Sequence, residues 1–134
     1  MTSVAALDFV SLDRGPCFGT CPDYEVTLRA DGTATWHGRN FVDRAGEWEG
    51  TFDEAEFSRV AAFMRRCGFF DWNDEYVEAV TDLPTYMVTA KDGASEKSVL
   101  QYATDEPPDF WVIATMIDAI AASASWAPDV ESMT

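Results

Sequence analysis

The residues best suited to chemistry are two cysteines, Cys17 and Cys21, four positions apart in a segment rich in glycine and proline. Cysteines at this spacing reach the Cα separation of a disulfide, about 4.4–6.8 Å, only where the chain folds back, and Gly19 permits such a turn. The pair predicts a structural disulfide in an oxidising compartment and two reduced thiols in the cytosol. A redox-responsive pair is a second interpretation, although the spacing is not the Cys-x-x-Cys of thioredoxin-like proteins.

Metal binding is a third interpretation of the same cysteines. A structural zinc site needs four ligands, and Cys17, Cys21, Cys67 and His37 supply three sulfurs and one imidazole. However, Cys67 ends an apolar helical stripe, where a free cysteine is often simply buried, and His37 falls on the solvent face of a predicted strand. We therefore predict a shaped structural loop rather than a metal centre, and no cofactor.

A calcium loop is a further possibility in the acidic segment after residue 70. The residues at loop positions 1, 3, 5 and 12 are Asp71, Asn73, Glu75 and Asp82. Position 6 of such a loop requires glycine for its sharp turn, and the chain has Tyr76 there. The pattern therefore favours a solvated acidic loop.

The sequence contains none of the common catalytic motifs. It has one histidine and lacks Gly-x-Ser-x-Gly, His-Glu-x-x-His, the Walker phosphate loop and the Rossmann glycine pattern. Carboxylates are so abundant that no one pair of them is informative. We therefore expect a binding protein rather than an enzyme.

The net charge of −15, from 24 acidic and 9 basic residues, bears on partners. Such a surface repels phosphate backbones and anionic lipid, so nucleic acid and membranes are not expected. The charge predicts solubility or, as an alternative, an acidic inhibitor or decoy of a basic partner. The N-terminus lacks the regions of a signal peptide, so we expect a cytoplasmic protein as the sequence stands, and an exported one if a signal peptide was removed.

Alternating apolar residues predict the strands that must position the cysteine segment. A strand is expected over 4–12, a hairpin follows with its turn at 30–32, a strand covers 47–52, and a second hairpin joins 86–90 to 97–103. In the first hairpin, a three-residue loop with Gly32 left-handed sets Val26 opposite Trp36 and keeps one face apolar. A two-residue turn would set Val26 opposite His37 and mix the faces.

Two helices follow the hairpins. Asp53 is the predicted N-cap of the first, Glu56 completes a capping box, and Gly68 ends the helix. The second opens near Pro107 and runs to about Ser123. Their apolar stripes are Phe57, Val60, Ala61 and Met64 in the first helix, and Phe110, Ile113, Ile117 and Ala121 in the second.

These elements predict one α+β domain over residues 1–125, followed by a mobile acidic tail over 126–134. The expected architecture is an antiparallel sheet of five or six strands with two helices packed on one face. Each half places a hairpin before a helix, so an ancient ββα pseudo-repeat is possible.

The aromatic residues suggest what such a domain would bind. Trp72, Trp111 and Trp126 have no obvious place in the predicted core. Clustered near Phe18, Phe41 or Tyr76, they would line a ligand groove or a protein interface.

The segment Arg14-Gly-Pro-Cys-Phe-Gly-Thr-Cys-Pro-Asp-Tyr24, with the turn at Gly32 and with Gly38, resembles a bacterial domain family of unknown function. The signature of that family is Cys-x-Gly-x-Cys-Pro-x-Tyr leading into a hairpin. The resemblance continues more loosely through the first helix, residues 69–70, Tyr76 and the Asp82-x-Pro84 segment. It implies a fold and a conspicuous loop, but no reaction. Many members look exported or lipid-anchored, whereas this sequence shows no export signal.

We therefore predict a non-catalytic binding or interaction domain that uses the cysteine loop and nearby aromatics. The expected binding residues are Arg14, Cys17, Phe18, Cys21 and Tyr24. The partner is expected to be a protein or a small ligand. The alternatives are a thiol-redox or metal-binding protein centred on Cys17 and Cys21, and the acidic decoy.

Overall fold

The computed structural model describes residues 7–17, 19–78, 83–104 and 106–128. Over these residues, eight strands form one sheet, in the order β5-β7-β6-β1-β2-β3-β4-β8. The strands are β1 (Phe9–Arg14), β2 (Asp23–Arg29), β3 (Thr33–Asn40), β4 (Gly46–Thr51), β5 (Glu75–Val77), β6 (Thr85–Asp92), β7 (Ser95–Tyr102) and β8 (Ser125–Pro128). The helices are α1 (Glu54–Arg66) and α2 (Pro108–Ser123), and a 3-10 turn covers Phe69–Asp71.

The hairpin of β2 and β3 has the register predicted from its apolar face. Val26 pairs with Trp36, Leu28 pairs with Ala34, and Gly32 has a left-handed φ of 88°. The three-residue turn is therefore confirmed. Its consequence is that the buried side chains of both strands lie on one face of the sheet.

Both helices contribute to a single hydrophobic core on that face. Asp53 caps α1 by accepting a hydrogen bond from the Ala55 amide at 2.9 Å, as predicted, and the four residues of the predicted stripe are buried. In α2 the predicted stripe is also buried, together with Ala114 and Ile120. The helices contact each other, and each large apolar side chain buried in this core contributes roughly 1.5–3 kcal/mol to stability.

The predicted sheet of five or six antiparallel strands is wrong, because the sheet has eight strands and is mixed. The prediction missed β5, which pairs in parallel with β7, and β8, which pairs with β4. These strands have three and four residues. Strands so short carry too little alternation to be recognised, and their hydrogen bonds are supplied by a neighbouring strand that is distant in sequence.

Two predicted segment bounds can be compared with the described strands. Strand β1 runs to Arg14, two residues beyond the predicted end, and residues 1–6 lie outside the described residues. Strand β8 includes residues 126–128 of the segment assigned to a tail, and residues 129–134 are not described. The suggested repeat is not supported by the topology. The first helix follows a hairpin and a third strand, β4, whereas the second helix directly follows the hairpin of β6 and β7.

None of the described helices combines the length and hydropathy needed to cross a membrane.

Candidate functional site

The cysteine loop, residues 15–22, leaves the sheet at the end of β1 and returns at the start of β2. The guanidinium of Arg39 ties these two strand ends together. It donates hydrogen bonds to the carboxylates of Asp13 (2.7 Å) and Asp23 (2.6 Å). It also donates to the backbone carbonyl oxygens of Arg14 (3.3 Å) and Tyr24 (3.2 Å). Arg39 therefore holds together the end of β1 and the start of β2, which are the two points where the loop joins the sheet.

Asp23 is a buried member of this network. Burial raises the pKa of its carboxyl, but the hydrogen bonds that Asn40 and Arg39 donate outweigh that effect, together with the positive charge of Arg39. The pKa is left below its ordinary value of 3.8. Asp23 is therefore held as a carboxylate against the guanidinium.

Within the loop, Cys17 and Cys21 form a disulfide with a Cα separation of 5.8 Å. The amide of Gly19 donates a hydrogen bond to the carbonyl of Cys17 at 3.0 Å, which closes the turn between the cysteines. The amide of Gly15 donates to the carbonyl of Thr85 at 2.8 Å and joins the loop to β6. The loop is thus anchored from both sides of β1.

A row of four large side chains crosses the sheet beside the loop. Arg14 pairs with Tyr24 on one side and with Tyr86 on the other, and Tyr86 pairs with Gln101. Since side chains two residues apart share a face, this cross-strand row lies on the core face, next to the buried apolar layer. The row therefore places polar side chains at the edge of the hydrophobic core.

Buried polar atoms without partners are concentrated in this row. Among the described residues, the buried side-chain nitrogens and oxygens with no hydrogen-bond partner belong to Arg14, Gln101 and Trp111. All three residues adjoin Tyr86. Its ring lies 5.3 Å from the Arg14 guanidinium carbon and 4.9 Å from the Trp111 ring, and it is the cross-strand neighbour of Gln101. Such atoms are rare in folded proteins and call for an explanation.

A first cleft of about 380 Å³ opens at the Tyr24 end of the row, against the last turns of α2. Its walls include Arg14, Pro22, Tyr24, Trp36, Phe41, Arg44 and Asp118. The hydroxyl of Tyr24 donates a hydrogen bond of 2.5 Å to Asp118, which lies 94 residues away in sequence. This bond joins the sheet to α2 across the floor of the cleft.

Burial perturbs both partners of that bond. Burial, reinforced by the hydrogen bond and the charge of Asp118, raises the pKa of Tyr24 far above its ordinary value of 10. Burial also raises the pKa of Asp118 above 3.8, and the hydrogen bond from Tyr24 and the charge of Arg14 offset only part of this effect. Tyr24 therefore acts as a protonated donor, and Asp118 as its acceptor.

Arg44, which lines the first cleft, lies close to the rings of three tryptophans, of which Trp36 also lines that cleft. Its guanidinium carbon lies 5.2 Å, 5.7 Å and 5.1 Å from the rings of Trp36, Trp48 and Trp126. The carbonyl of Arg44 accepts a hydrogen bond of 2.7 Å from the indole of Trp36. A cation over aromatic faces is attracted to each ring, so the rings position this guanidinium, which has no ion pair among the described residues.

A second cleft of about 310 Å³ lies at the other end of the row. Tyr86, Gln101 and Trp111 form its polar and aromatic walls, and Ala103 lies at its edge. Non-glycine residues with positive φ occur at both clefts, Phe41 (55°) at the first and Ala103 (63°) at the second. Left-handed backbone costs such residues roughly 1–2 kcal/mol, and strain of this kind tends to gather at functional sites.

A family model described as a domain of unknown function, DUF6438, matches residues 8–121. The chain belongs to the DUF6438 family. Among curated proteins, none matches the chain. The match covers all of the cross-strand row and nearly all of both clefts, and it ends before β8.

In this DUF6438 domain, four of the five predicted binding residues are described by the structure. Arg14 and Tyr24 line the first cleft, as members of the row. Cys17 and Cys21 are joined in the disulfide, and Phe18 lies outside the described residues. The structure thus brings two of the five into one cleft.

Other predicted candidates are engaged elsewhere in the DUF6438 domain. His37 faces Glu47 across the hairpin of β3 and β4, and its Nδ1 contacts the carboxylate of Glu47. The thiol of Cys67 donates to the carbonyl of Met64 at 3.6 Å, and burial raises its pKa, as does the charge of Asp109. Across the described ranges, no three histidine, cysteine or acidic side chains converge as metal ligands.

Sequence reasoning missed Arg44, Asp118 and Gln101. Gln101 did carry a signal, because it is a polar residue at a core-face position two residues after the buried Val99. Asp118 carried a weaker one, as an acid beside the apolar stripe of α2. Arg44 lies between strands in a segment without periodicity, and nothing in the sequence places it near the tryptophans.

Proposed function

We propose that this domain is a non-catalytic binding module whose first cleft takes a ligand with a carboxylate next to an apolar group. The observation that carries the proposal is that Arg14 and Arg44 line one cleft, and neither forms an ion pair within the described residues. A guanidinium binds a carboxylate through two parallel hydrogen bonds. The acid of the ligand would form the ion pair that these two guanidinium groups lack.

The acidic residues of the cleft limit where the carboxylate of the ligand can bind. Asp118 already accepts the Tyr24 hydrogen bond, and Asp43 also lines the cleft. They repel a ligand acid that approaches from their side. The carboxylate is therefore expected at the two guanidinium groups.

Phe41 indicates where the apolar group of the ligand would bind. This side chain is 62% exposed at the rim of the cleft, next to Val42, which also lines it. A large exposed aromatic on a left-handed residue has both a solvation cost and a backbone cost. An apolar group packed against Phe41 would recover part of the solvation cost.

The cysteine loop is proposed to fix one rim of the cleft through Pro22, which lies next to Cys21. We also propose that the Cys-x-Gly-x-Cys-Pro-x-Tyr segment is the family signature and that the protein is bacterial. The disulfide favours an exported protein, since such bonds persist in oxidising compartments. In the cytoplasm the same loop would hold two thiols, which is the thiol-based alternative.

The proposal is tested by titrating the protein with aryl and alkyl carboxylates, each paired with its methyl ester. Tryptophan fluorescence is the readout, because the three tryptophan rings lie close to Arg44. The acids are expected to bind and the esters to bind at least tenfold more weakly, since a charge-assisted hydrogen bond contributes about 1.5–3 kcal/mol. Arg44→Gln should show the same loss, and Arg59→Gln, an exposed arginine of α1 outside the cleft, should not.

Two results would contradict the proposal. One is saturable binding that Arg44→Gln and Arg59→Gln leave equally intact, and the other is an absence of binding across the whole set of acids. Turnover of any compound that is lost in Arg14→Ala would refute the non-catalytic part.

A further inference from the structure

Gln101 is a fully buried polar residue of β7. Its side chain is 0% exposed, and neither its amide nitrogen nor its amide oxygen has a hydrogen-bond partner among the described residues. A glutamine amide offers two N–H donors and one carbonyl acceptor. Leaving such groups buried and unpaired is costly, and Gln101 is one of the residues that line the second cleft.

Trp111 adds a second unpaired group to the same cleft. Its indole nitrogen is buried and has no acceptor within the described part of the chain. Its ring lies edge-on to Tyr86, with the centroids 4.9 Å apart and an interplanar angle of 78°. The cleft therefore combines two kinds of N–H donor and one acceptor with two aromatic walls.

The charge of this cleft differs from that of the first. Its described lining residues are all uncharged, and they include Leu83, Pro84 and Thr104. No positive charge in this lining would balance a carboxylate or a phosphate, whereas a neutral polar group would satisfy the unpaired atoms without burying a charge. The volume of about 310 Å³ is at the lower end of the roughly 300–1,000 Å³ range of ligand pockets, so the ligand must be small.

We infer that the second cleft binds a small neutral molecule carrying a primary carboxamide on a flat ring. The carboxamide carbonyl accepts from the amide of Gln101 or the indole of Trp111, and the carboxamide N–H donates to the Gln101 carbonyl. The ring packs against Tyr86 and Trp111. This site is separate from the first cleft and does not depend on the function proposed for it.

Benzamide is the probe, and two relatives of it are the controls. Benzoate keeps the ring and replaces the carboxamide by a charge, and N,N-dimethylbenzamide keeps the carbonyl and removes the N–H donors. A fragment of this size is expected to bind with a Kd on the order of 1 mM, which chemical-shift titration of the labelled protein measures. Benzamide should saturate resonances of β7 and α2, and both controls should bind at least tenfold more weakly.

Gln101→Leu separates a binding role from a structural one. It replaces the unpaired amide by an apolar side chain of similar size. The unliganded variant should therefore melt at the same temperature as the wild type or higher. It should nevertheless lose benzamide binding at least tenfold. Trp111→Phe keeps an aromatic wall without the N–H and should weaken binding several-fold. Ser98→Ala, on the opposite face of β7 and bonded to Thr89, is the matched control and should bind as the wild type does.

The inference fails if benzamide does not saturate the wild-type protein, or if Gln101→Leu binds it as tightly as Ser98→Ala does. A lower melting temperature for Gln101→Leu with unchanged binding would assign the glutamine a structural role and overturn the site. If Gln101→Leu does not fold, Trp111→Phe and the pair of amides still decide the outcome. None of these results bears on the carboxylate titrations of the first cleft, so the two proposals fail separately.

Discussion

The segment that carries Phe41 and Arg44 folds so closely over Gly38 that Gly38→Ala should disrupt the first cleft. A Cβ atom at Gly38 would lie 2.0 Å from the backbone oxygen of Arg44 and 2.8 Å from a methyl carbon of Val42. The Arg44 carbonyl must therefore retreat by more than about 1 Å, since real contacts to a Cβ atom lie beyond 3.0 Å. That carbonyl accepts the 2.7 Å hydrogen bond from the Trp36 indole, which the retreat would break.

The size of the effect follows from these two losses. Overpacking of a tight site costs about 1–3 kcal/mol, and a lost hydrogen bond costs about 1 kcal/mol more. Gly38→Ala should lower the free energy of unfolding by about 2–4 kcal/mol. For a domain of this size, the melting temperature should fall by roughly 10 °C.

Gly15→Ala is the matched control, because it makes the same chemical change beside the cysteine loop. A Cβ atom there would lie 3.5 Å from the carbonyl of Thr85, which is ordinary contact, and Gly15 does not have a left-handed φ. The control should be neutral or up to about 1 kcal/mol more stable, since alanine restricts the unfolded chain. Urea unfolding followed by tryptophan fluorescence measures both variants. Equal stability of Gly38→Ala and Gly15→Ala would refute the packing of residues 41–45 over Gly38.

Three further predictions concern the loop and the carboxyl groups near it. Replacing both Cys17 and Cys21 by serine opens a five-residue loop and should lower the free energy of unfolding by about 2 kcal/mol through chain entropy. In urea unfolding, a reductant should lower the stability of the wild type and leave that of the double variant unchanged. Tyr24→Phe removes the donor to Asp118 and should cost about 1–3 kcal/mol. It should also raise the pKa of Asp118 further, and an unchanged pKa in a carboxyl NMR titration would count against the bond. Because the pKa of Asp23 is lowered, its contribution to stability is present above pH 3.8 and is lost as the pH falls through its folded pKa. Asp23→Asn should remove that acid-dependent loss from a curve of stability against pH, and a curve parallel to that of the wild type would contradict it.

Local features of the sequence were enough to predict the first hairpin and the first helix. The register of Val26 against Trp36 followed from one turn and one apolar face, and the start of α1 followed from the capping residue Asp53. Each of these depends on residues close together in the chain. The residues that determine such features are neighbours in sequence, so the features can be predicted from a short segment.

The sheet edges and the clefts depend instead on tertiary contacts. Strand β8 exists because its backbone pairs with β4 and because the ring of Trp126 covers Gly50, where a Cβ atom would lie 2.5 Å from that ring. Tyr24 and Asp118 meet across 94 residues. No periodicity or motif encodes such encounters, so the cysteine segment was found from the sequence while most of the cleft beside it was not.

The position of the cross-strand row along its strands has a practical consequence for engineering. Tyr24 and Tyr86 are each the second residue of their strand, whereas the turns at 30–32 and 93–94 close the far ends of the two hairpins. At about 3.3 Å per residue, the tip after Asp92 lies about 20 Å from Tyr86. Exposed turns generally tolerate added chain. A fluorophore or an affinity tag inserted at 93–94 would therefore report on the protein without touching either cleft, whereas a single residue inserted inside β6 would turn the row to the opposite face.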